Sequence, residues 1–179
     1  MNFTNKVILL TVAASDIGTA TAVRFSELSV KLAIVDIDDK GLKNTVVGDI
    51  SKPEDLECVA KSTIKNFKQL NVLVNNVGIM EYGTIENTCL EHFLTLLLLP
   101  ELLKTKGNIV NTSSICGMHS FPNTLAYNIS KAVVDQFTRC VALELGERGV
   151  RCNCINPGVI YSNLQKRYLG EDGYKKFIK

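Results

Sequence analysis

Short apolar runs alternate along this chain with longer stretches in which apolar residues recur at helical spacing. That pattern predicts strands at 6–12, 32–36, 45–49, 71–75, 107–112 and 150–155, and helices at about 17–29, 53–67, 89–104 and 124–146. Strands alternating with helices argue for a parallel sheet joined by crossovers, an α/β fold. Ser51-Lys-Pro53-Glu54 reads as a helix start, with Ser51 as N-cap, Pro53 in the first turn and Glu54 reaching back in a capping box. Asn123 or Thr124 is placed to cap the long fourth helix. Asp135 with Arg139, and Glu144 with Arg148, are i, i+4 pairs that read as a solvated helix face. No repeat, low-complexity tract or linker interrupts the pattern, so residues 1–179 read as one domain.

Composition narrows the function classes. Of 179 residues 46% are hydrophobic and 21% charged, enough apolar material for one core. A net charge of +2 implies neither nucleic acid nor an anionic membrane as partner. The longest apolar run, Phe93 to Leu103, is broken by Thr95, Pro100 and Glu101 and falls far short of the ~20 residues a span needs. The N-terminus leads straight into a strand without the pattern of a signal peptide, which makes the cytoplasm the expected location. Six cysteines then read as reduced, small, buried hydrophobes. Cys152 and Cys154 flank Asn153 in a strand and fall on one of its faces, and neither His92 nor His119 stands at ligand spacing from a cysteine pair, so no metal site is expected.

The candidate chemistry lies in Leu125-Ala-Tyr127-Asn-Ile-Ser-Lys131, with Tyr127 thirteen residues after Ser114. Four residues apart on a helix, Tyr127 and Lys131 share a face. A nearby ammonium favours the phenolate and lowers a tyrosine pKa from about 10, which suits proton exchange with an alcohol or ketone. Ser114, at a strand end, is placed to hold the same substrate oxygen by hydrogen bonding. Alone, such a pair usually means an aromatic ring packed under a lysine stem. Here it accompanies a strand-turn-helix at the N-terminus, an acid ending the second strand, Asn75-Asn76-Val77-Gly78 after an apolar strand, and Asn156-Pro157-Gly158 after another.

In that order these elements resemble the short-chain dehydrogenase/reductase family over nearly the whole chain. The resemblance implies a doubly wound, Rossmann-like parallel sheet in three αβα layers, incomplete relative to the family. It also implies a nicotinamide cofactor and a small-molecule alcohol or ketone as substrate. Thr11-Val12-Ala-Ala-Ser15-Asp16-Ile17-Gly18 stands where the family has TGxxxGIG and cradles the pyrophosphate, with Val12 and Asp16 at two of its glycine positions. Asp36 ends Ala33-Ile-Val-Asp36-Ile-Asp38-Asp39; it reads either as an ordinary acidic turn or as the acceptor of the adenosine ribose hydroxyls, and its position favours NAD over NADP. Asp49-Ile50 resembles the adenine-contacting acid, and Asn75, Val77 and Gly78 the NNAG segment under the cofactor. Pro157-Gly158-Val-Ile160-Tyr-Ser162 resembles the PGxxxT stretch at the nicotinamide carboxamide. Lys131 is also implied in binding the ribose.

The chain departs from the family's pattern in length. Only twelve residues separate Asp36 from Asp49, so the second crossover helix is expected to be vestigial or absent. From Asn75 to Ser114 the chain is short by roughly four helical turns. No asparagine lies between Thr88 and Lys106, where the resemblance places a catalytic one, and Asn87 lies upstream. The chain stops at Lys179 without the family's last strand, which leaves an edge strand open and makes a homo-oligomer an expectation. Two functions follow: an NAD-dependent oxidoreductase using Ser114, Tyr127 and Lys131, or a catalytically weak or inactive relative serving as a binding or interaction module.

Overall fold

Six short strands and four helices carry the fold in the computed structural model, which describes residues 3–12, 16–37, 45–76, 93–122, 124–160 and 170. They run in the order β1 (Val7–Thr11), α1 (Asp16–Ser26), β2 (Lys31–Asp36), β3 (Thr45–Val47), α2 (Pro53–Phe67), β4 (Val72–Asn75), α3 (Phe93–Thr105), β5 (Asn108–Thr112), α4 (Leu125–Gly146) and β6 (Arg151–Ile155). A 3₁₀ turn, Ile115–Gly117, follows β5. All pairings are parallel and the strand order is β3-β2-β1-β4-β5-β6.

The alternation of side chains along each strand sorts the core into two layers. Val7 and Leu9 of β1 point, with Val35, Leu73, Ile109 and Cys152, to the face covered by α2, α3 and α4, where Leu56, Val59, Leu98, Leu102 and Leu145 meet them. Ile8, Leu10, Ile34 and Val74 point the other way, toward Ala22 of α1 and the edge-on pair Phe3 and Phe25. Because the central strands are buried on both sides, β1 is apolar at every position up to Leu10. Cys152 lies in the larger layer, and burial pushes its thiol up to about 11, which keeps it a protonated core residue.

Local details differ from the expectation at the start of α2. Lys52, not Ser51, is the N-cap, and it makes no side-chain cap bond. The Ser51 hydroxyl and backbone N–H both donate to Asp49 Oδ1, at 2.7 and 3.0 Å, which closes a turn one residue before the helix and leaves Lys52 at the cap position. Pro53 does open the helix. β2 and β3 pair in parallel, Asp36 opposite Val47, across a connection shorter than the usual dozen residues; residues 38–44, where the shortened crossover was expected, lie outside the described residues.

Strand order reverses at β1: the chain leaves it toward β2 and β3, and returns on its other side through β4. The carboxyl ends of β1 and β4 therefore flank the crevice where open α/β sheets bind ligands.

Candidate active site

Val12 leaves β1 with φ 53° and Asp16 opens α1 with φ 35°. Both values lie in the left-handed region, and these are the two positions where the family pattern has glycine. The backbone keeps the glycine path although the glycines are gone, at a cost of about 1–3 kcal/mol for each strained residue. Gly18 shows why the path is forced. A Cβ there would stand 1.9 Å from the Val12 carbonyl oxygen, so the first turn of α1 packs directly on that carbonyl. Ser15 lies outside the described residues.

Asn76, one residue past β4, closes the switch point. Its Nδ2 donates to the Val12 carbonyl at 3.2 Å, its backbone N–H donates to Thr11 Oγ1 at 3.0 Å, and its Oδ1 accepts from Thr112 Oγ1 at 3.2 Å. Asn75 turns inward, with Nδ2 on Asn111 Oδ1 at 2.8 Å and Thr95 Oγ1 at 3.1 Å. The sequence named Asn76 only within the Asn75–Gly78 segment and gave it no role of its own. The signal was there: two asparagines in succession after an apolar strand must face opposite sides, so each needs partners of its own. Val77, Gly78 and Ser162 lie outside the described residues.

At the end of β5 the candidate proton-transfer residues come together. Ser114 caps the 3₁₀ turn, its Oγ accepting from Cys116 N–H at 3.2 Å, which leaves the hydroxyl proton to be donated elsewhere. Lys131, only 5% exposed, donates from Nζ to the Thr112 carbonyl at 3.0 Å and lies 5.7 Å from the centre of the Tyr127 ring. Ser113 ties strand to helix, its Oγ donating to the Lys131 carbonyl at 3.1 Å. Burial pushes the Tyr127 phenol above its ordinary value, opposed by the Ser114 hydroxyl beside it. This differs from the lowering expected of Lys131, because the ammonium points at a backbone carbonyl and desolvation of the phenol is the larger effect.

The remaining candidates line the same end of the sheet. Asp36, 8% exposed, closes β2, whose Val35 carbonyl accepts the Val12 N–H at 2.8 Å. Asp49 accepts from the Ser51 hydroxyl and amide, and these bonds hold its carboxyl below the ordinary carboxylate range. Ile50 packs on the larger core layer. The Pro157 carbonyl accepts the Ile115 N–H at 3.0 Å, joining the β6 turn to the Ser114 turn, and no described residue lies within 4 Å of where a Cβ on Gly158 would stand. Ile160 and Asp16, with Ile17, Ala20 and Phe25, line a cavity of about 590 Å³ along α1.

A parallel sheet whose switch point carries a helix N-terminus, an acid at the end of β2 and a Ser/Tyr/Lys trio beside it defines a dinucleotide-binding oxidoreductase. The turn fits a dinucleotide diphosphate in one respect: Gly18 lets α1 begin directly on the Val12 carbonyl, which sets the helix N-terminus at the carboxyl end of β1. Residues 12–179 match the family model of enoyl-(acyl carrier protein) reductase. An uncharacterized oxidoreductase of Thermotoga maritima is 36% identical over 207 aligned residues, covering 100% of this chain and 82% of the relative. Dehydrogenase/reductase SDR family member 6 of Danio rerio is 30% identical, covering 97% of this chain and 80% of its own. The ligand-free aldohexose dehydrogenase of Thermoplasma acidophilum superposes with a TM-score of 0.86 at 26% identity, over 97% of this chain and 76% of that one. The chain belongs to the short-chain dehydrogenase/reductase family and is a hydride-transfer oxidoreductase that works with a nicotinamide cofactor.

Proposed function

We propose that this single-domain chain uses NAD in preference to NADP and interconverts a small alcohol and its ketone or aldehyde, with Ser114, Tyr127 and Lys131 as the reacting site. The observation that carries this reading is the convergence of Ser114 and Tyr127 beside a buried, carbonyl-anchored Lys131 at the carboxyl end of β5, on the same edge of the sheet as the crevice between β1 and β4. The nicotinamide, when bound, supplies or takes the hydride. Ser114, whose hydroxyl stands beside the Tyr127 phenol, donates its proton to the substrate oxygen. Tyr127 holds its own proton at neutral pH, since burial raises its pKa, and gives it to that oxygen as negative charge develops there. Lys131 anchors α4 to β5 and places a fixed positive charge beneath the ring. Thr11, Ile17 and Gly18 form the diphosphate side, Asp36, Asp49 and Ile50 the adenosine side, and Pro157, Gly158 and Ile160 the nicotinamide side, with Ser15, Val77, Gly78 and Ser162 assigned by the sequence; Asn75, expected under the cofactor, instead braces β4 on β5 from within.

Asp36 underlies the cofactor preference, because a carboxylate at the strand end accepts ribose hydroxyls and repels a 2′-phosphate. α4 presents Leu125, Ile129 and Val133 at i, i+4 and i+8, exposed by 74%, 44% and 42%, which supports association with a second copy. The test is NADH and NADPH binding by fluorescence, followed by turnover of an aldohexose, a vicinal diol and a diketone in the unmodified chain and in Tyr127→Phe. We expect NADH to bind more tightly than NADPH, and Tyr127→Phe to lose at least about a hundredfold in turnover. Unchanged turnover in that variant would remove Tyr127 from the chemistry, and equal binding of the two cofactors would remove Asp36 from their discrimination.

A further inference from the structure

Asp135 lies one helical turn beyond Lys131 and is 4% exposed. A buried carboxylate is tolerated only where donors surround it. Here Asn156 Nδ2 approaches Oδ1 at 2.9 Å and Oδ2 at 3.2 Å, and Cys154 Sγ donates to Oδ1 at 3.5 Å. The same Asn156 Nδ2 also reaches the Ser114 carbonyl oxygen at 3.0 Å. Both neighbours are acceptors, so the amide orientation is dictated: one of its two protons goes to the carboxylate and the other to the Ser114 carbonyl. The turn after Ser114 closes tightly on this group, since a Cβ on Gly117 would stand 2.4 Å from Asp135 Oδ2. Burial, with Asp135 beside it, pushes the Cys154 thiol up and keeps its proton available for the carboxylate.

We propose that Asp135 is a positioning residue for the reacting serine: its buried carboxylate fixes the Asn156 amide, which holds the Ser114 carbonyl and so sets where the Ser114 hydroxyl points relative to Tyr127. The contact spans the three elements that build the site, α4, the β5 turn and the β6 turn. Asn156 cannot be replaced by a group that only accepts, because both of its partners accept. Asp135 touches no reacting atom; its effect passes through Asn156 and the Ser114 backbone. The inference rests on the reading of Ser114 and Tyr127 as partners in the site, and the experiment separates the two.

The protein is labelled with ¹³C at tyrosine Cζ, and the Tyr127 signal is assigned by its loss in Tyr127→Phe. Ser114→Ala sets the displacement that follows from losing the serine beside the phenol. Asn156→Ala and Asp135→Asn are expected to move the Tyr127 signal in the same direction, and Ser114→Ala added to Asn156→Ala is expected to move it no further. Gln136→Ala changes an exposed residue of the same helix whose hydrogen bonds go to Cys140 and Arg139, and is expected to leave the signal in place. Circular dichroism checks each fold; should Asp135→Asn unfold, Asn156→Ala, on a half-buried turn residue, decides alone. An unmoved signal in Asn156→Ala beside a moved one in Ser114→Ala overturns the positioning role, as does an equal displacement by Gln136→Ala. A signal that Ser114→Ala leaves unmoved overturns the pairing of Ser114 with Tyr127, and the positioning role with it.

Discussion

Two residues at the start of the chain, Val12 and Asp16, occupy glycine backbone conformations, and each has a measurable consequence. A β-branched side chain at φ 53° is strained by about 1–3 kcal/mol, and glycine returns about 0.5–1 kcal/mol of that through the entropy of the unfolded chain. Val12→Gly is therefore expected to stabilise the protein by about 1 kcal/mol, a rise of about 2–4 °C in Tm by calorimetry. Asp16 adds charge to strain, because its carboxylate stands in the first turn of the helix whose amides face the diphosphate. Two unit charges at about 4 Å repel by roughly 4 kcal/mol at an effective dielectric of 20, and rotation and salt leave about 1–3 kcal/mol. Asp16→Gly should tighten NADH binding by about tenfold to a hundredfold in a fluorescence titration; an unchanged affinity would mean the carboxylate turns away into the cavity it lines.

Tyr127 gives a pH signature of definite sign. Its folded pKa lies above the ordinary value near 10, so the phenol keeps its proton across the neutral range and releases it only above about pH 10. Ketone reduction, which draws on that proton, should hold a level rate from about pH 7 to 9. Alcohol oxidation, which needs the phenolate, should climb about tenfold per pH unit over the same window. A reduction rate that falls between those limits would place the phenol below its ordinary range and restore the lowering first expected of Lys131.

Among the elements, the helices show what pattern reading catches and what it misses. α2 and α4 end close to where hydrophobic periodicity placed them, because each buries an apolar stripe on the sheet. Side-chain partners were another matter. Asp135 sits at i, i+4 from Arg139, which reads as a solvated pair; in the fold Arg139 turns to Gln136 and Asp135 is buried against Asn156. Spacing along one helix fixes which residues share a face, but not which face meets another element. α2 carries a defect of the same origin. Thr63 is fully buried there and, among the described residues, its hydroxyl has no hydrogen-bond partner. Thr63→Val keeps the shape and removes the unsatisfied group, and should stabilise the protein by about 1 kcal/mol in a denaturant titration. A loss of stability would show that the hydroxyl is satisfied in solution.

At the scale of the molecule, one side of the sheet is covered by three helices and, among the described residues, the other by α1 alone. The outward stripe of α4 adds exposed Leu125, Ile129 and Val133. Sedimentation velocity is expected to give a species larger than one chain, and Ile129→Glu to shift it toward the monomer with secondary structure intact. A monomer at tens of micromolar in the unmodified chain would leave the stripe without that role.

The sequence by itself determined the alternation of strands and helices, the parallel sheet and the positions of Ser114, Tyr127 and Lys131, because these rest on apolar period and on motifs of adjacent residues. It also located the two missing glycines. Only the tertiary structure decided that the backbone keeps the left-handed path without them, since Gly18 packs on the Val12 carbonyl whatever residue stands at position 12. Only the fold, too, turned the Lys131 ammonium toward the Thr112 carbonyl, set Asn76 across the switch point and buried Asp135 under Asn156. Each of these contacts joins residues far apart in the chain through the direction of a side chain, and that direction is set by which surfaces the packed sheet and helices bring together.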